Sequence, residues 1–179
     1  MRIISGKYKG KQLNSPKSDN IRPTGDKVKQ ALFTKLQFFI QDAIVLDLFS
    51  GSGALGIEAL SRGARKVFFV DKDKRSIKLT YENLKGLDKN YEVINASYDI
   101  ALNNFKEKFD LILVDPPYAS GVYDNVLDLI DKNKLLNEGG YIVCEHPVGL
   151  KINTNFVNID QKRYGTVELT YYSYDCKKN

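Results

Sequence analysis

Two hydrophobic patterns alternate along the chain from residue 44 onward. Short runs that are apolar at most positions predict β-strands at residues 45–48, 66–71, 91–95, 109–114 and 141–145. Between these runs apolar residues recur every three or four positions, which predicts amphipathic helices. Such alternation indicates a mainly parallel sheet, and the run at 109–114 is apolar enough to be a central strand. Two last runs, at 156–159 and 166–174, predict a closing hairpin.

The first 40 residues have a different pattern. Residues 2–13 alternate loosely around two glycines, which predicts a small hairpin. A helix is predicted to follow, with Thr24 as its N-cap because a threonine hydroxyl accepts from the free amides of the first turn. Its apolar face has Val28, Leu32, the pair Lys35/Leu36 and Phe39, and its outer face carries Lys27, Lys29 and Gln30. We therefore separate an N-terminal extension, residues 1–40, from a main domain, residues 41–179.

Composition adds few constraints. The 179 residues, 42% of them hydrophobic, are enough to bury a substantial core. No apolar run approaches a membrane span and the first residues lack a signal-peptide core, so we expect a cytoplasmic protein with no membrane partner. Cys144 and Cys176 lie far apart without metal-ligand spacing, so we expect free thiols and no metal.

The charge is distributed unevenly. Residues 1–40 contain nine Lys and Arg against two Asp, an excess of seven, whereas the whole chain carries +5. A basic extension on a nearly neutral domain favours a polyanionic partner, with Lys7, Lys9 and Lys11 as candidate contacts. A solvated lysine-rich surface with no partner is an equally open interpretation.

The stretch from Asp47 to Gly56 joins a short strand to a helix through a glycine-rich loop. Glycines at 51, 53 and 56 match the dinucleotide fingerprint, which would favour NAD or FAD. A carboxylate beside the loop, Asp47, does not help to bind a pyrophosphate. It does attract the sulfonium and ammonium of S-adenosylmethionine. We therefore predict a methyl-donor site, the alternative being a junction whose glycines serve packing alone.

A second acid ends the next strand. Asp71 lies twenty residues past Gly51, where a carboxylate at a strand end meets a ribose diol. Two hydroxyl donors suit a carboxylate because its two oxygens accept together. The alternative is an acid favoured by the dipole of the following helix. The candidate donor-binding residues are Asp47, Phe49, Ser50, Gly51, Gly53, Asp71, Lys72 and Ser97.

The predicted central strand leads directly into Asp115-Pro116-Pro117-Tyr118. Prolines fix the backbone and leave their carbonyls as acceptors. The ends of the first and fourth strands face one crevice in a doubly wound sheet, so this loop would lie beside the donor methyl group. Asp115 and the Pro116 carbonyl would accept the hydrogens of an exocyclic amine, and Tyr118 would stack on the base. His146, which precedes Pro147 at a strand end, is interpreted as structural.

These motifs together resemble the bacterial 16S ribosomal RNA guanine-N2 methyltransferases, the RsmD-like group. The resemblance covers Arg2–Gly6 with Lys9-Gly10, Arg22-Pro23-Thr24, residues 47–63 and Asp115–Tyr118. It implies a Rossmann-like class I methyltransferase fold with a mostly parallel seven-stranded sheet and an antiparallel C-terminal hairpin. It further implies S-adenosylmethionine as the cofactor and 16S rRNA or the small ribosomal subunit as the partner. The protein would act as a monomer, and Arg22 and Thr24 would contact the RNA. Ser97 departs from the pattern, since related enzymes often place an acid there to meet the adenine amine.

Two other functions remain open. The first is methylation of another exocyclic amine, such as adenine N6 in DNA or RNA, because enzymes with that activity also carry the Asp-Pro-Pro-Tyr motif. The second alternative is a non-catalytic RNA-binding assembly factor that retains a donor pocket. The intact motif at Asp115 disfavours it, because a binding module has little use for that set of acceptors.

Overall fold

The computed structural model describes residues 1–15, 25–117 and 121–174. The helices are α1 (Asp26–Lys35), α2 (Ala54–Ser61), α3 (Lys74–Leu84), α4 (Tyr98–Asn104) and α5 (Tyr123–Lys132). The strands are β1 (Ile44–Asp47), β2 (Lys66–Asp71), β3 (Tyr91–Asn95), β4 (Phe109–Val114), β5 (Leu136–Pro147), β6 (Val157–Tyr164) and β7 (Val167–Ser173).

All seven strands form one sheet in the order β3-β2-β1-β4-β5-β7-β6. Strands β1 to β5 pair in parallel, and β7 is antiparallel to both β5 and β6. The predicted fold class is therefore confirmed, including the closing hairpin. Strand order reverses between β1 and β4, so the crevice outside their carboxyl ends is the place where an open α/β sheet binds ligands.

Helices cover both faces of the sheet, and each face has its own apolar core. Residues of α1, α2 and α3 share a cluster with one side of β1, β2, β4, β5 and β7. Residues of α4 and α5 share the other cluster with the opposite side of the strands. β4 lies between β1 and β5 and is buried at every position except Asp110, as its apolar sequence predicts.

The N-terminal extension packs onto the first of these cores. Its hairpin is reduced to a single bridge between Arg2 and Gln12, supported by hydrogen bonds such as Ile3 N–H to Lys11 O at 3.0 Å. Ile3 and Leu13 are buried in the same cluster as α1 and the sheet. The extension and the sheet thus share one hydrophobic core.

Four local predictions are corrected. α1 has Gly25 rather than Thr24 at its N-cap, and it ends at Lys35, so Phe39 lies beyond the helix. Lys29 was predicted on the basic outer surface but is 1% exposed, because its ammonium donates to the Arg2 carbonyl and lies beside the buried Glu58 carboxylate. β5 begins at Leu136 rather than after Gly139-Gly140, since Gly140 continues the strand beside Asp110.

Candidate active site

Three acidic side chains lie at the carboxyl ends of neighbouring strands. Asp47 ends β1, Asp71 ends β2, and Asp115 directly follows β4. Asp47 is level with Phe69 on one side and Leu113 on the other. Asp71 and Asp115 therefore extend two residues further, one on each side of Asp47. The register brings together the three acids that the sequence placed at strand ends.

Asp47 is the most deeply placed of the three, with 2% exposure. Its Oδ2 accepts a hydrogen bond from the Gly56 N–H at 2.9 Å, in the first turn of α2. Burial raises the pKa of Asp47 to about 7, because removal from water penalises the charged form. The Gly56 hydrogen bond opposes this rise, and the charges of Asp115 and Asp71 add to it. A cation beside this carboxylate would stabilise its charged form.

The glycines of the loop divide into two roles. Gly51 has φ +55° and faces open space, since a Cβ built there meets nothing within 4 Å. A Cβ on Gly56 would instead lie 2.3 Å from the Phe69 ring, so that glycine lets α2 pack closely on β2. Gly53, at φ +79°, is the N-cap of α2 and lies against Thr80. Only Gly51 exposes backbone that a ligand can approach.

Polar atoms around Gly51 fit a ligand with hydroxyl groups. Asp71 accepts the Gly51 N–H with Oδ2 at 2.9 Å and the Asp73 N–H with Oδ1 at 2.8 Å. A carboxylate has about four lone-pair sites, so acceptor capacity remains after these two bonds. The Ser50 hydroxyl is buried and has no hydrogen-bond partner among the described residues. Together with the buried carboxylate of Asp47, these acceptors and the Ser50 hydroxyl fit a ligand that is cationic and carries hydroxyl groups, such as S-adenosylmethionine.

Two polar residues of α3 that the sequence analysis missed donate hydrogen bonds to carbonyl groups of the glycine loop. Thr80 Oγ1 donates to the Gly51 carbonyl at 3.0 Å, and Asn83 Nδ2 donates to the Ser52 carbonyl at 2.8 Å. Thr80 and Asn83 are both buried, one turn apart on α3 beside the buried Leu84. A signal was present, because polar residues at helical spacing on an apolar face usually have buried partners.

The remaining predicted donor-binding residues lie around the ends of β2 and β3. The Asn95 amide donates to the Asp71 and Lys72 carbonyls and so fixes the turn after β2, while the Lys72 side chain is exposed. Ser97 is at the N-cap of α4, and its hydroxyl hydrogen-bonds to Asp99, which lowers the pKa of that carboxyl. The contact of Ser97 with an adenine amine stays a prediction.

Phe49 and Tyr98 form an aromatic pair next to this region. Their ring centroids are 5.7 Å apart and the rings are tilted by 42°. Phe49 is half-buried between the end of β1 and the glycine loop. Tyr98 also accepts a hydrogen bond from the Asn125 amide, so the pair connects the loop to α4 and α5.

The predicted catalytic loop continues β4 into the crevice. Asp115 is half-buried, Pro116 is buried and Pro117 is exposed, whereas Tyr118 lies outside the described residues. His146, nearby on β5, is 1% exposed. Its Nδ1 lies 3.0 Å from the Pro147 carbonyl and its Nε2 lies 2.8 Å from Thr170 Oγ1. Both ring nitrogens are therefore in contact with neighbouring protein groups, and the structural role of His146 stays a prediction.

The predicted RNA-binding lysines lie on the N-terminal hairpin. Lys7 forms an exposed ion pair with Asp88 at 2.5 Å, and Lys11 donates to the Lys85 carbonyl. Lys9 is exposed. Exposed ion pairs contribute little to stability, so Lys7 is easily released to a phosphate. Arg22 and Thr24 lie outside the residues that the structure describes.

A buried ionic cluster attaches this hairpin to α2. Glu58 is 0% exposed and accepts from the Ile4 and Ser5 N–H groups at 2.8 and 3.0 Å. It also accepts from Arg62 Nε at 2.8 Å, and Lys29 Nζ lies 3.7 Å away. Sequence reasoning missed this cluster, because Lys29 and Glu58 each resemble surface charges on their own helices.

The described residues contain neither a helix that could span a membrane nor a cluster of side chains suited to a metal ion. Within residues 1–15, 25–117 and 121–174, no helix has the length and apolarity needed to cross a membrane. In the same ranges, no group of three or more His, Cys, Asp and Glu side chains is arranged to hold a metal ion.

Known proteins resemble the chain over nearly its whole length. The family described as conserved hypothetical protein 95 matches residues 1–173. The Bacillus subtilis protein YlbH is 38% identical over 175 residues, 95% of each chain. Ribosomal RNA small subunit methyltransferase D of Haemophilus influenzae is 35% identical over 182 residues, 96% of this chain and 93% of the relative. A solved structure of Escherichia coli yhhF superposes with a TM-score of 0.88 at 32% identity, covering 99% of both chains.

Proposed function

We infer that this chain methylates ribosomal RNA, because it belongs to the conserved hypothetical protein 95 family, the family of the RsmD-like methyltransferases. More narrowly, we propose transfer of a methyl group from S-adenosylmethionine to the exocyclic N2 amine of a guanine in 16S rRNA. One observation carries the proposal: three carboxylates converge beside an open glycine loop at the switch point of the sheet.

The donor side of the proposal rests on charge. S-adenosylmethionine would supply an electrophilic methyl group carried on a sulfonium. Asp47 is the buried carboxylate whose charged form the cation would stabilise. Its pKa of about 7 shows that the negative charge is unfavourable there when no cation is bound. Asp71 would keep its hydrogen bond to Gly51 while accepting from a ribose hydroxyl, and the Ser50 hydroxyl would gain a partner.

The acceptor side rests on the loop after β4. The N2 amine of guanine is a poor nucleophile because its lone pair is delocalised into the ring. Asp115 and the Pro116 carbonyl would accept hydrogen bonds from its two N–H groups and hold the amine so that its lone pair faces the methyl group. Positive charge would develop on the nitrogen as its bond to the methyl group forms and the methyl–sulfur bond breaks, so Asp115 would stabilise the transition state more than the bound amine. The demethylated donor would leave as a neutral thioether, and the nitrogen would lose one proton to solvent. Tyr118 would stack on the base.

The test is single-turnover methylation of naked 16S rRNA and of small-subunit particles, with the modified nucleoside identified by mass. We expect N2-methylguanosine, and Asp115→Ala should slow the reaction by about a hundredfold to a thousandfold. Asp128→Ala, which removes an exposed acid on α5, is the matched control and should react at the parental rate.

Two outcomes would contradict this scheme. N6-methyladenosine as the product would show that the enzyme acts on a different amine. A folded Asp115→Ala variant that is saturated with both ligands and reacts at the parental rate would remove Asp115 from the mechanism.

A further inference from the structure

Asn83 joins two segments that the proposed function assigns to different ligands. It is 3% exposed on α3. Its Nδ2 donates to the Ser52 carbonyl in the glycine loop at 2.8 Å and to the Asn14 carbonyl at 3.1 Å. Its Oδ1 accepts from the Asn14 N–H at 2.8 Å. One side chain therefore hydrogen-bonds both to the glycine loop and to the end of the N-terminal hairpin.

The contacts of Asn83 leave little freedom for independent movement. An amide side chain has two donor hydrogens and one acceptor oxygen, and all three are engaged here. Leaving a buried polar group unpaired is costly, so Asn83 must follow any shift of Ser52. Asn14 then shifts with it, because two further bonds join it to Asn83.

Asn14 lies next to the segment that carries the predicted RNA contacts. Leu13, the residue before it, donates its N–H to the Met1 carbonyl at 3.0 Å and closes the hairpin that bears Lys7, Lys9 and Lys11. Displacing Asn14 therefore strains the hairpin on which these lysines are arranged.

We propose that Asn83 is a positioning residue that couples the two ligands, so that binding of the methyl donor tightens binding of RNA and the reverse. The identity of both ligands rests on the proposed function. A ligand that fixes the glycine loop also fixes Asn83 and Asn14, so the second ligand finds its site already ordered. Thermodynamic linkage requires the same factor in both directions.

Two neighbouring residues provide matched controls. Thr80, one turn from Asn83 on α3, holds the Gly51 carbonyl of the loop. Tyr8 accepts a hydrogen bond from the Asp88 N–H through its hydroxyl oxygen, at the hairpin and away from the glycine loop. Thr80→Val thus perturbs the loop, Tyr8→Phe perturbs the hairpin, and Asn83→Ala perturbs the connection between them.

The experiment measures the affinity of in vitro transcribed 16S rRNA with and without saturating S-adenosylhomocysteine, which has no methyl group to transfer. In the parent we expect S-adenosylhomocysteine to tighten RNA binding about fivefold or more. Thr80→Val should weaken S-adenosylhomocysteine binding and Tyr8→Phe should weaken RNA binding, and both should keep the coupling factor. Asn83→Ala should reduce the factor to about one.

A second variant guards against a general loss of structure. Asn83→Asp keeps the acceptor for the Asn14 N–H but cannot donate to Ser52, so a folded Asn83→Asp protein should also lose the factor. An unchanged factor in either Asn83 variant, or a factor of one in a parent that binds both ligands, would overturn the inference. A parent that binds neither ligand would instead contradict the proposed function.

Discussion

We predict that the raised pKa of Asp47 makes binding of the methyl donor depend on pH. Burial raises this pKa from 3.8 to about 7, so in the free protein Asp47 is largely protonated at pH 6 and largely ionised at pH 8. A cationic donor favours the ionised form. Below pH 7, binding must therefore release the Asp47 proton, and the affinity should fall about tenfold for each pH unit.

The size of the effect follows from the same shift. A rise of the pKa from 3.8 to about 7 corresponds to roughly 4 kcal/mol of penalty on the charged carboxylate. Because the folded pKa lies above the unfolded one, the folded protein holds the extra proton between these values. The contribution of Asp47 to the free energy of unfolding should then fall as pH rises through this window and level off above about pH 8.

Asp47→Asn isolates this contribution, because its side-chain oxygen still accepts from Gly56 but cannot ionise. Calorimetry of S-adenosylmethionine binding from about pH 5.5 to about pH 8, in two buffers of different ionisation enthalpy, counts the protons released. The parent should release up to one proton per donor near pH 6, and the variant should bind weakly and release none. Equal pH profiles for parent and variant would refute the assignment of Asp47 to the donor site.

Three further predictions concern the N-terminal extension. Gly6→Ala should destabilise the fold by about 2–4 kcal/mol in denaturant unfolding, because φ is +86° and the new Cβ would lie 1.8 Å from the Ser61 carbonyl oxygen. Gly10→Ala, with φ +87° but open space around it, should cost only about 1–2 kcal/mol, and equal losses would contradict this account. Lys29→Ala should cost about 3–5 kcal/mol because it removes a buried partner of Glu58, whereas the exposed Lys27→Ala should change stability by less than about 0.5 kcal/mol. Replacing Lys7, Lys9 and Lys11 by Ala should reduce the slope of log affinity for rRNA against log salt by about two, with donor affinity unchanged, and an unchanged slope would make the hairpin a solvated surface.

The sheet and its strand-end acids were predictable because their signals are local. A run such as that of β4 is apolar at five of six positions, and only a strand covered on both faces uses such a run. Once the strands are parallel, their carboxyl ends lie at one edge, so Asp47, Asp71 and Asp115 must be neighbours. Their relative heights were not predictable, because the register depends on how β1 pairs with β2 and β4.

The spacing of Thr80 and Asn83 could indicate that they are buried polar residues, but the partners of the buried polar groups were not predictable, since each partner is distant in sequence. Lys29 reaches Arg2 and Glu58, and Asn83 reaches Ser52 and Asn14, so no window of one helix contains both partners. Lys29 looked like an outer-surface charge because lysine is almost never fully buried unless it is paired. Lys29 can be buried because its ammonium donates a hydrogen bond to the Arg2 carbonyl at 2.7 Å and lies beside the carboxylate of Glu58.

These contacts make α2 the common support of both predicted binding regions. Its first turn contains Gly56, whose N–H binds Asp47, and its last residue, Ser61, binds the hairpin through its carbonyl and hydroxyl oxygens. Glu58, between them, accepts the Ile4 and Ser5 amides. A helix of eight residues is about 12 Å long, so the glycine loop and the N-terminal hairpin are held at a fixed short distance from each other. A basic segment attached by a flexible linker would leave that separation variable, whereas this attachment fixes the predicted RNA-binding lysines relative to the predicted donor site.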